Sequence, residues 1–111
     1  MVKLPLFSDN KKIWYRTLYN DDDMVIGKCK LDNSTKPLIH YHNNATEIYI
    51  VIKGEGEVYN YPNWDATKKG DVHIFPPYTP HCLRTTGKLT LLYIFTTGPF
   101  ENINYNFLSK L

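Results

Sequence analysis

Short apolar runs rich in tyrosine, isoleucine, valine, threonine and phenylalanine recur along the chain, separated by clusters of asparagine, aspartate, glycine and proline. Alternation with a period of two is typical of β-strands, and no stretch shows the longer period of an amphipathic helix. The pattern predicts an all-β sandwich or barrel. The predicted strands are Ile13 to Tyr19, Met24 to Lys30, Pro37 to His42, Glu47 to Lys53, Glu55 to Tyr61, Asp71 to Phe75, His81 to Thr85 and Thr90 to Thr96. Gly54 is the predicted turn between the fourth and fifth runs.

The fourth run is predominantly apolar on both of its faces. Three isoleucines point to one side of the strand, while Glu47, Tyr49 and Val51 point to the other. In a barrel, one face lines the interior and the other is covered by a second sheet or by a partner subunit. We therefore expect a homodimer, and the N-terminal strand of the same chain is the alternative cover.

The size of the chain limits it to one folded unit. Its 111 residues are enough for one hydrophobic core and too few for two, so we expect a single domain that spans 1–111. The formal net charge of +2 is spread over both halves of the chain. This distribution lacks the basic footprint of a nucleic-acid-binding protein, so no nucleic-acid partner is expected.

The N-terminal stretch reaches charged and polar residues after only a few apolar ones. That apolar stretch is shorter than a secretory signal or a membrane span requires, so we expect a cytoplasmic protein with no membrane partner. Cys29 and Cys82 do not form a CxxC pair. In a reducing compartment we expect both thiols to remain reduced.

Candidate chemistry begins with two histidines on the third predicted strand. Side chains two residues apart share a face of a strand, so His40 and His42 are placed to offer two imidazole nitrogens to one ion. After a turn, the next strand opens with Glu47, and a hairpin return brings its carboxylate beside the histidine pair. Two histidines and one carboxylate are a donor set that transition metals favour.

A second segment runs from Gly70 to His81, where a turn, a strand and a proline-rich loop end on a histidine. Together the two segments resemble the two motifs of the cupin superfamily. The matching residues are His40, His42, Glu47 and Gly54 in the first motif, and Gly70, Pro76 and His81 in the second. The resemblance implies a cupin double-stranded β-helix, a jelly-roll barrel, with metal motifs at 40–54 and 70–85.

The resemblance also implies a cofactor, one divalent transition metal ion. Its ligands would be His40, His42, Glu47 and His81. Three nitrogens and one carboxylate leave one or two coordination positions for water or substrate, which Lewis-acid and oxygen chemistry require. The donor types do not select among Fe, Mn, Ni, Zn and Cu. His73, in the middle of a predicted strand, matches no ligand position and is expected to be a core or interface residue.

Three positions depart from the cupin pattern. Ser34 stands where the first motif often has glycine, Tyr78 replaces the glycine of the second motif, and Thr85 replaces its final asparagine. None is a ligand position. Tyr78 bears on the loop before His81, because a glycine there permits a positive φ that a tyrosine resists.

The wider pattern resembles the small cupin lyases that cleave dimethylsulfoniopropionate. The shared segments are HYH at 40–42, EIY at 47–49, KKGDV at 68–72 and FENINY at 100–105. This resemblance implies a carboxylate-bearing small-molecule substrate, with Tyr49 and Tyr105 as catalytic residues near the metal. Tyr49 also follows Glu47 by two residues and so faces the same interior. The spacing from His42 to Glu47 is one residue longer than in those lyases.

Three other activities suit the same barrel. They are an iron-dependent dioxygenase or related oxidoreductase, a sugar-acid isomerase, and a non-catalytic small-molecule-binding cupin. The sequence contains no DNA-binding helix that would couple ligand binding to transcription, which favours an enzyme over a sensor.

Overall fold

The computed structural model of the protein describes residues 13–108, which form nine β-strands and one short 3₁₀ turn. The predicted all-β class is therefore confirmed. The strands are β1 (Ile13–Asn20), β2 (Val25–Asp32), β3 (His40–Tyr41), β4 (Glu47–Asn60), β5 (Asn63–Lys68), β6 (Val72–Phe75), β7 (His81–Arg84), β8 (Lys88–Phe95) and β9 (Asn106–Phe107); the 3₁₀ turn is Phe100–Asn102. Across these residues, no helix combines the length and apolar character needed to span a bilayer.

The strands form two antiparallel sheets that share β4. Sheet I has the order β1-β2-β8-β4-β6, and it uses the first half of β4. Sheet II has the order β9-β3-β7-β4-β5, and it uses the second half. This is the jelly-roll arrangement that the sequence predicted, and it brings distant segments of the chain to one interior.

The core lies between the two sheets. Alternate residues on β2 and β8, two inner strands of sheet I, are buried, as the period of two predicts. These buried residues are Val25, Cys29 and Leu31 on β2, and Leu89, Leu91, Tyr93 and Phe95 on β8. Val58 and Leu83 of sheet II pack in the same cluster. Cys29 and Cys82 are both buried and free.

Gly54 marks the corner at which β4 passes from one sheet to the other. The sequence predicted a turn here with separate strands on either side, but the structure shows one continuous strand. The pairing with β8 shifts register between Val51 and Lys53, and Gly54 has a φ of 85°. A bulge and a residue with positive φ bend a strand without reversing it. The sequence therefore located the change in direction correctly, but the predicted chain reversal at Gly54 was wrong.

The sequence did not predict β5 and β9, and it predicted β3 too long. β5 is an exposed hairpin strand with little apolar alternation, and it forms by pairing with β4 from Asn60↔Asn63 onwards. β9 is only two residues long and pairs with β3, itself limited to His40–Tyr41. Such short pairings depend on tertiary neighbours rather than on local sequence.

Candidate metal centre

The structure brings the four predicted ligand residues into one buried cluster. His40 lies on β3, His42 directly follows it, Glu47 opens β4 and His81 opens β7. One ligand atom from each of the four residues lies within 4.8 Å of the others. Their side chains are almost inaccessible, with exposed fractions of 0 to 2%. Burying a carboxylate and three imidazoles together is costly unless each of them binds a partner. The cluster is therefore a candidate site for a metal ion.

Backbone carbonyls orient all three histidine rings. The Nδ1 atoms of His40, His42 and His81 lie 3.0, 2.8 and 2.8 Å from the carbonyl oxygens of Leu38, Asn104 and Thr79. A carbonyl only accepts hydrogen bonds, so each Nδ1 carries a proton. Each ring can therefore offer Nε2 to an ion, and such outer hydrogen bonds are the usual support of metal-binding histidines.

The contacts around Glu47 test whether a cation fits this cluster. The Nε2 atoms of His42 and His81 lie 3.0 and 2.8 Å from the same carboxylate oxygen, Oε1. With the proton held on Nδ1, a neutral imidazole presents a lone pair to that oxygen, and the contact is repulsive. A proton on each Nε2 or a shared metal ion removes the repulsion. Three nitrogens and one carboxylate suit a transition metal ion, so the residues fit the implied cofactor.

The electrostatics favour the metal-binding protonation states. Burial raises the pKa of the Glu47 carboxyl, but hydrogen bonds from His42 and His81, which form when those rings carry a proton on Nε2 as well, outweigh burial and bring that pKa to about 2. Burial lowers the pKa of His40 well below its ordinary value, and the neighbouring His81 lowers it further. At neutral pH, Glu47 is therefore ionised and His40 is neutral, as metal ligands must be.

A strained loop places His81. Tyr78 has a φ of 70°, so the expected resistance of tyrosine to this conformation is overcome, at a cost of about 1–2 kcal/mol. Its N–H donates to the carbonyl of His42 at 2.8 Å. The loop is thus tied to the end of β3, and the next residue, Thr79, supplies the carbonyl that orients His81.

Aromatic rings surround the cluster. Phe75 stacks on His81 with ring centroids 4.3 Å apart. Tyr105 lies 4.3 Å from the His42 ring and 5.3 Å from the His40 ring. These rings exclude water from the ligands, and a low-dielectric shell strengthens every charge interaction inside it.

Both tyrosines singled out in the sequence lie beside the cluster. Tyr49 is fully buried with its ring 5.8 Å from that of His81, and among residues 13–108 its hydroxyl has no hydrogen-bond partner. Tyr105 is partly buried. Burial and the charge of Glu47 raise the pKa of both phenols well above 10. Without a cation nearby, both hydroxyls therefore stay protonated.

His73 lies outside the cluster, as predicted. It is half-buried on β6, and its Nε2 lies 2.7 Å from the hydroxyl of Thr67. Burial lowers its pKa. His73 therefore belongs to the packing between β5 and β6.

The segment around Tyr105 covers the site, a role that the resemblance, which implied only that Tyr105 lies near the metal, did not predict. Residues 103–108, here called the covering segment, follow the 3₁₀ turn and cross beside β3. The carbonyl of Asn104 orients His42, residues 106–107 pair with Tyr41 and His40, and the N–H of Leu108 donates to the carbonyl of Ile39. His42 and Asn104 are 62 residues apart, and no local pattern reports such a contact. The covering segment therefore both orients a ligand and closes the site.

Tyr93 is an interior residue whose packing against Gly27 was not predicted from the sequence. It is buried on β8 opposite Gly27, and a Cβ on Gly27 would lie 1.9 Å from Cζ of Tyr93. Gly27 thus makes room for the phenol. Recognising this pair requires the register of β2 and β8, which the sequence does not specify.

Access to the cluster depends on movement of the cover. Of the clefts that the structure shows, one of about 420 Å³ is lined by Glu57, Thr67 and Arg84 among others, and one of about 450 Å³ by Trp14, Lys30 and Leu89 among others. Neither is lined by any of the four clustered residues. Because the four clustered residues are at most 2% exposed, a ligand that reaches them must displace part of the surrounding shell.

Replacing Tyr105 by alanine is expected to open that route. Because the ring lies on both His40 and His42, its loss should speed removal of bound cobalt by a chelator at least about tenfold, equivalent to about 1.4 kcal/mol in opening free energy. Stopped-flow absorbance of the cobalt protein measures the rate. Tyr105→Phe keeps the ring and should leave the rate unchanged; equal rates in the alanine and phenylalanine variants would show that the ring is not the barrier.

The fold and the cluster agree with the result of comparison with known families. Residues 28–96, more than half of the chain, match the model of the Cupin domain family. This chain belongs to the cupin family. All four clustered residues of the cupin lie within the matched region, whereas the covering segment lies beyond it.

Several known proteins are similar to this cupin over most of its chain. It is 25% identical over 89 residues to an uncharacterized protein of Methanocaldococcus jannaschii, covering 80% of this chain and 71% of the relative. A double-stranded β-helix protein of Klebsiella pneumoniae superposes with a TM-score of 0.78 at 18% identity, covering 92% of this chain and 89% of the other. The dimethylsulfoniopropionate lyase DddQ of Ruegeria pomeroyi superposes with a TM-score of 0.71 at 20% identity, covering 85% and 51%. The two superpositions show a shared fold, and this cupin spans about half the length of the lyase.

Proposed function

We propose that this cupin is a metal-dependent enzyme that acts on a carboxylate-bearing small molecule, and that its reaction is a lyase-type β-elimination of dimethylsulfoniopropionate. The observation that carries the proposal is the buried cluster of three histidines and Glu47 with tyrosines on two sides. The fold it shares with a lyase of this substrate supports the choice of reaction.

The four clustered residues would hold the ion through three Nε2 atoms and the Glu47 carboxylate. When bound, a divalent ion supplies Lewis acidity that polarises the substrate carboxylate and acidifies the neighbouring carbon. The protein contributes fixed rings, held by the carbonyls of Leu38, Thr79 and Asn104, so no ligand needs to reorient when substrate arrives.

The proposed proton acceptor is the phenolate oxygen of Tyr49 or Tyr105. It takes the proton from the carbon next to the substrate carboxylate. The electron pair of the broken C–H bond forms the new carbon–carbon double bond, the carbon–sulfur bond breaks with its electrons leaving on sulfur, and acrylate and dimethyl sulfide result. The sulfonium cation of the substrate favours the phenolate over the protonated phenol, because opposite charges attract. Aromatic faces such as that of Tyr105 also attract that cation.

A second candidate reaction is oxidation by an iron-dependent dioxygenase. The donor set contains two histidines and one carboxylate, the combination that non-haem iron oxygenases use. Iron content together with substrate-dependent oxygen uptake would favour this reaction over elimination. Sugar-acid isomerisation and non-catalytic binding are the remaining outcomes if neither activity is found.

A cytoplasmic location belongs to the same proposal. The free thiols of Cys29 and Cys82 support it, because oxidising compartments favour disulfides. Cell fractionation followed by detection of the protein tests the location.

The decisive experiment combines elemental analysis with an assay for dimethyl sulfide. We expect near-stoichiometric metal in the wild type and its loss in His81→Ala. Gas chromatography after addition of dimethylsulfoniopropionate should detect dimethyl sulfide from the wild type only.

Tyrosine variants separate metal binding from catalysis. Tyr49→Phe and Tyr105→Phe keep the rings and all four ligands, so metal content should stay as in the wild type. Product formation should fall at least about 100-fold in whichever variant removes the proton acceptor. Metal without product in the wild type would reject the lyase, and a wild type that takes up no metal would reject the metal site itself.

A further inference from the structure

The three histidines of the cluster differ in how far along the chain their orienting carbonyls lie. The Nδ1 atoms of His40 and His81 each bond a carbonyl that lies two residues earlier. The carbonyl that accepts from His42 belongs to Asn104, which lies 62 residues later and in the covering segment. Two rings are therefore oriented by their own local backbone, whereas the orientation of His42 depends on the position of the covering segment.

Three asparagines fasten the covering segment to the turn between β3 and β4. The side chain of Asn104 accepts from the N–H of Asn43 at 3.0 Å, and its amide group also donates to Oδ1 of Asn43. Oδ1 of Asn44 accepts from the N–H of Asn104 at 3.2 Å, and its Nδ2 donates to the carbonyl of Asn102 at 2.7 Å. These four hydrogen bonds, here called the asparagine clasp, join residues that are 58 to 61 positions apart.

The clasp lies directly beside the metal ligands. The turn that carries Asn43 and Asn44 links two of the clustered residues, His42 and Glu47. On the other side of the clasp, the residue after Asn104 is Tyr105, whose ring lies 4.3 Å from that of His42. The clasp therefore holds together a ligand, the carbonyl that orients it and the ring that covers it.

The fastenings of the covering segment differ in their access to water. At its two ends, Ile103 is buried in the core, and the N–H of Leu108 donates to the carbonyl of Ile39 at 2.8 Å. In the middle, Asn43 and Asn44 are exposed, so water competes for the hydrogen bonds of the clasp. Exposed hydrogen bonds of this kind are the ones that open in local fluctuations.

We propose that Asn44 and Asn104 are positioning residues, and that the clasp makes closure of the covering segment and orientation of His42 a single event. When the clasp is closed, the carbonyl of Asn104 keeps the proton of His42 on Nδ1, and Nε2 can bind an ion. When the clasp opens, the ring loses this acceptor as Tyr105 moves away from the ligands, while the other two rings keep their orientation. The coupling rests on the proposed function, which makes His42 a metal ligand, and it adds a route by which a small molecule reaches the site.

Exchange of the Nδ1 protons with solvent tests this coupling. Proton NMR of the cobalt protein should show one such proton for each ligand histidine, shifted out of the ordinary range by the ion. Asn44→Ala removes two hydrogen bonds of the clasp and should therefore speed exchange of the His42 proton at least about tenfold. The protons of His40 and His81 should exchange as in the wild type, and they serve as controls within the same molecule.

Two further variants separate the clasp from general effects of substitution. Asn104→Ala keeps the backbone carbonyl that accepts from His42 and removes only the side chain that bonds Asn43, so faster exchange in this variant arises through the clasp. Asn33→Ala is the matched control, because Asn33 is an exposed asparagine in the turn after β2, where its neighbours make the side-chain hydrogen bonds. Its exchange rates should equal those of the wild type.

Two results would overturn the proposal. One is unchanged exchange of the His42 proton in both Asn44→Ala and Asn104→Ala. The other is an equal acceleration for all three histidines, which would report a general loosening of the barrel. A wild type that takes up no cobalt rejects the metal site alone, because the same comparison is then made on the metal-free protein, where Nδ1 protons held by carbonyls in a buried cluster resonate at low field. Selective acceleration for His42 there supports the clasp, and its absence rejects the clasp.

Discussion

Replacing Glu47 by glutamine is expected to lower the metal affinity of this cupin by more than about 100-fold, because even outer partners of metal ligands contribute 10- to 100-fold. The amide keeps the size of the side chain but removes the negative charge from the centre of a buried cluster. In the wild type, Oε1 of Glu47 lies 3.0 and 2.8 Å from the Nε2 atoms of His42 and His81, so the substitution acts on the point at which these two rings converge. Competition with a chromophoric chelator measures the affinity.

Glu57→Gln is the matched control, because Glu57 lies on the same strand and its carboxylate is half-exposed in an ion pair with Arg84. Exposed ion pairs contribute little to stability, so this variant should bind metal as the wild type does. Equal affinities in the two glutamine variants would remove Glu47 from the ligand set. Circular dichroism on both proteins confirms that any difference arises in the site and not in folding.

Replacing Gly54 by alanine is expected to lower the free energy of unfolding by about 3 kcal/mol or more. Two costs add at this corner of β4. A φ of 85° disfavours any residue with a Cβ by about 1–2 kcal/mol. The added Cβ would also lie 2.1 Å from the carbonyl oxygen of Lys88, and a backbone atom cannot move aside as a flexible side chain does.

Two other glycines separate these costs. Gly70 has a φ of 94° but open space around its Cβ position, so Gly70→Ala should cost only about 1–2 kcal/mol. Gly87 has neither a positive φ nor a close neighbour, and its alanine variant should stay within about 0.5 kcal/mol of the wild type. Urea unfolding of the three variants measures the series. If Gly54→Ala lowers the free energy of unfolding by no more than Gly70→Ala does, the contact with Lys88 is relieved without cost.

The clustered residues could be predicted because their geometry is largely local. His40 and His42 share a strand face through a spacing of two, and Glu47 follows after a short turn. His81 required the resemblance to a second motif, since nothing in local sequence places it beside His40, His42 and Glu47, which lie between 34 and 41 positions earlier. The burial of alternate residues on β2 and β8 followed from the same period of two.

The features that sequence could not supply are those that depend on distant neighbours. Gly54 signals a special backbone conformation, but whether the chain reverses or bends there is decided by its pairing with β8. The role of Asn104 depends on a contact with His42 across 62 residues. Tyr78 adopts a φ that its side chain disfavours because its N–H is held by the carbonyl of His42. In each case tertiary structure overrides a local preference.

The order of residues along the chain gives the covering segment a consequence for biosynthesis. All four clustered residues precede position 82, whereas the residues that close over them begin at Ile103. During translation the imidazoles and the carboxylate leave the ribosome before their cover does. An ion can therefore be captured by an open, partly assembled barrel and enclosed afterwards, so the metal in the finished protein would record which ion was available while the chain was being made.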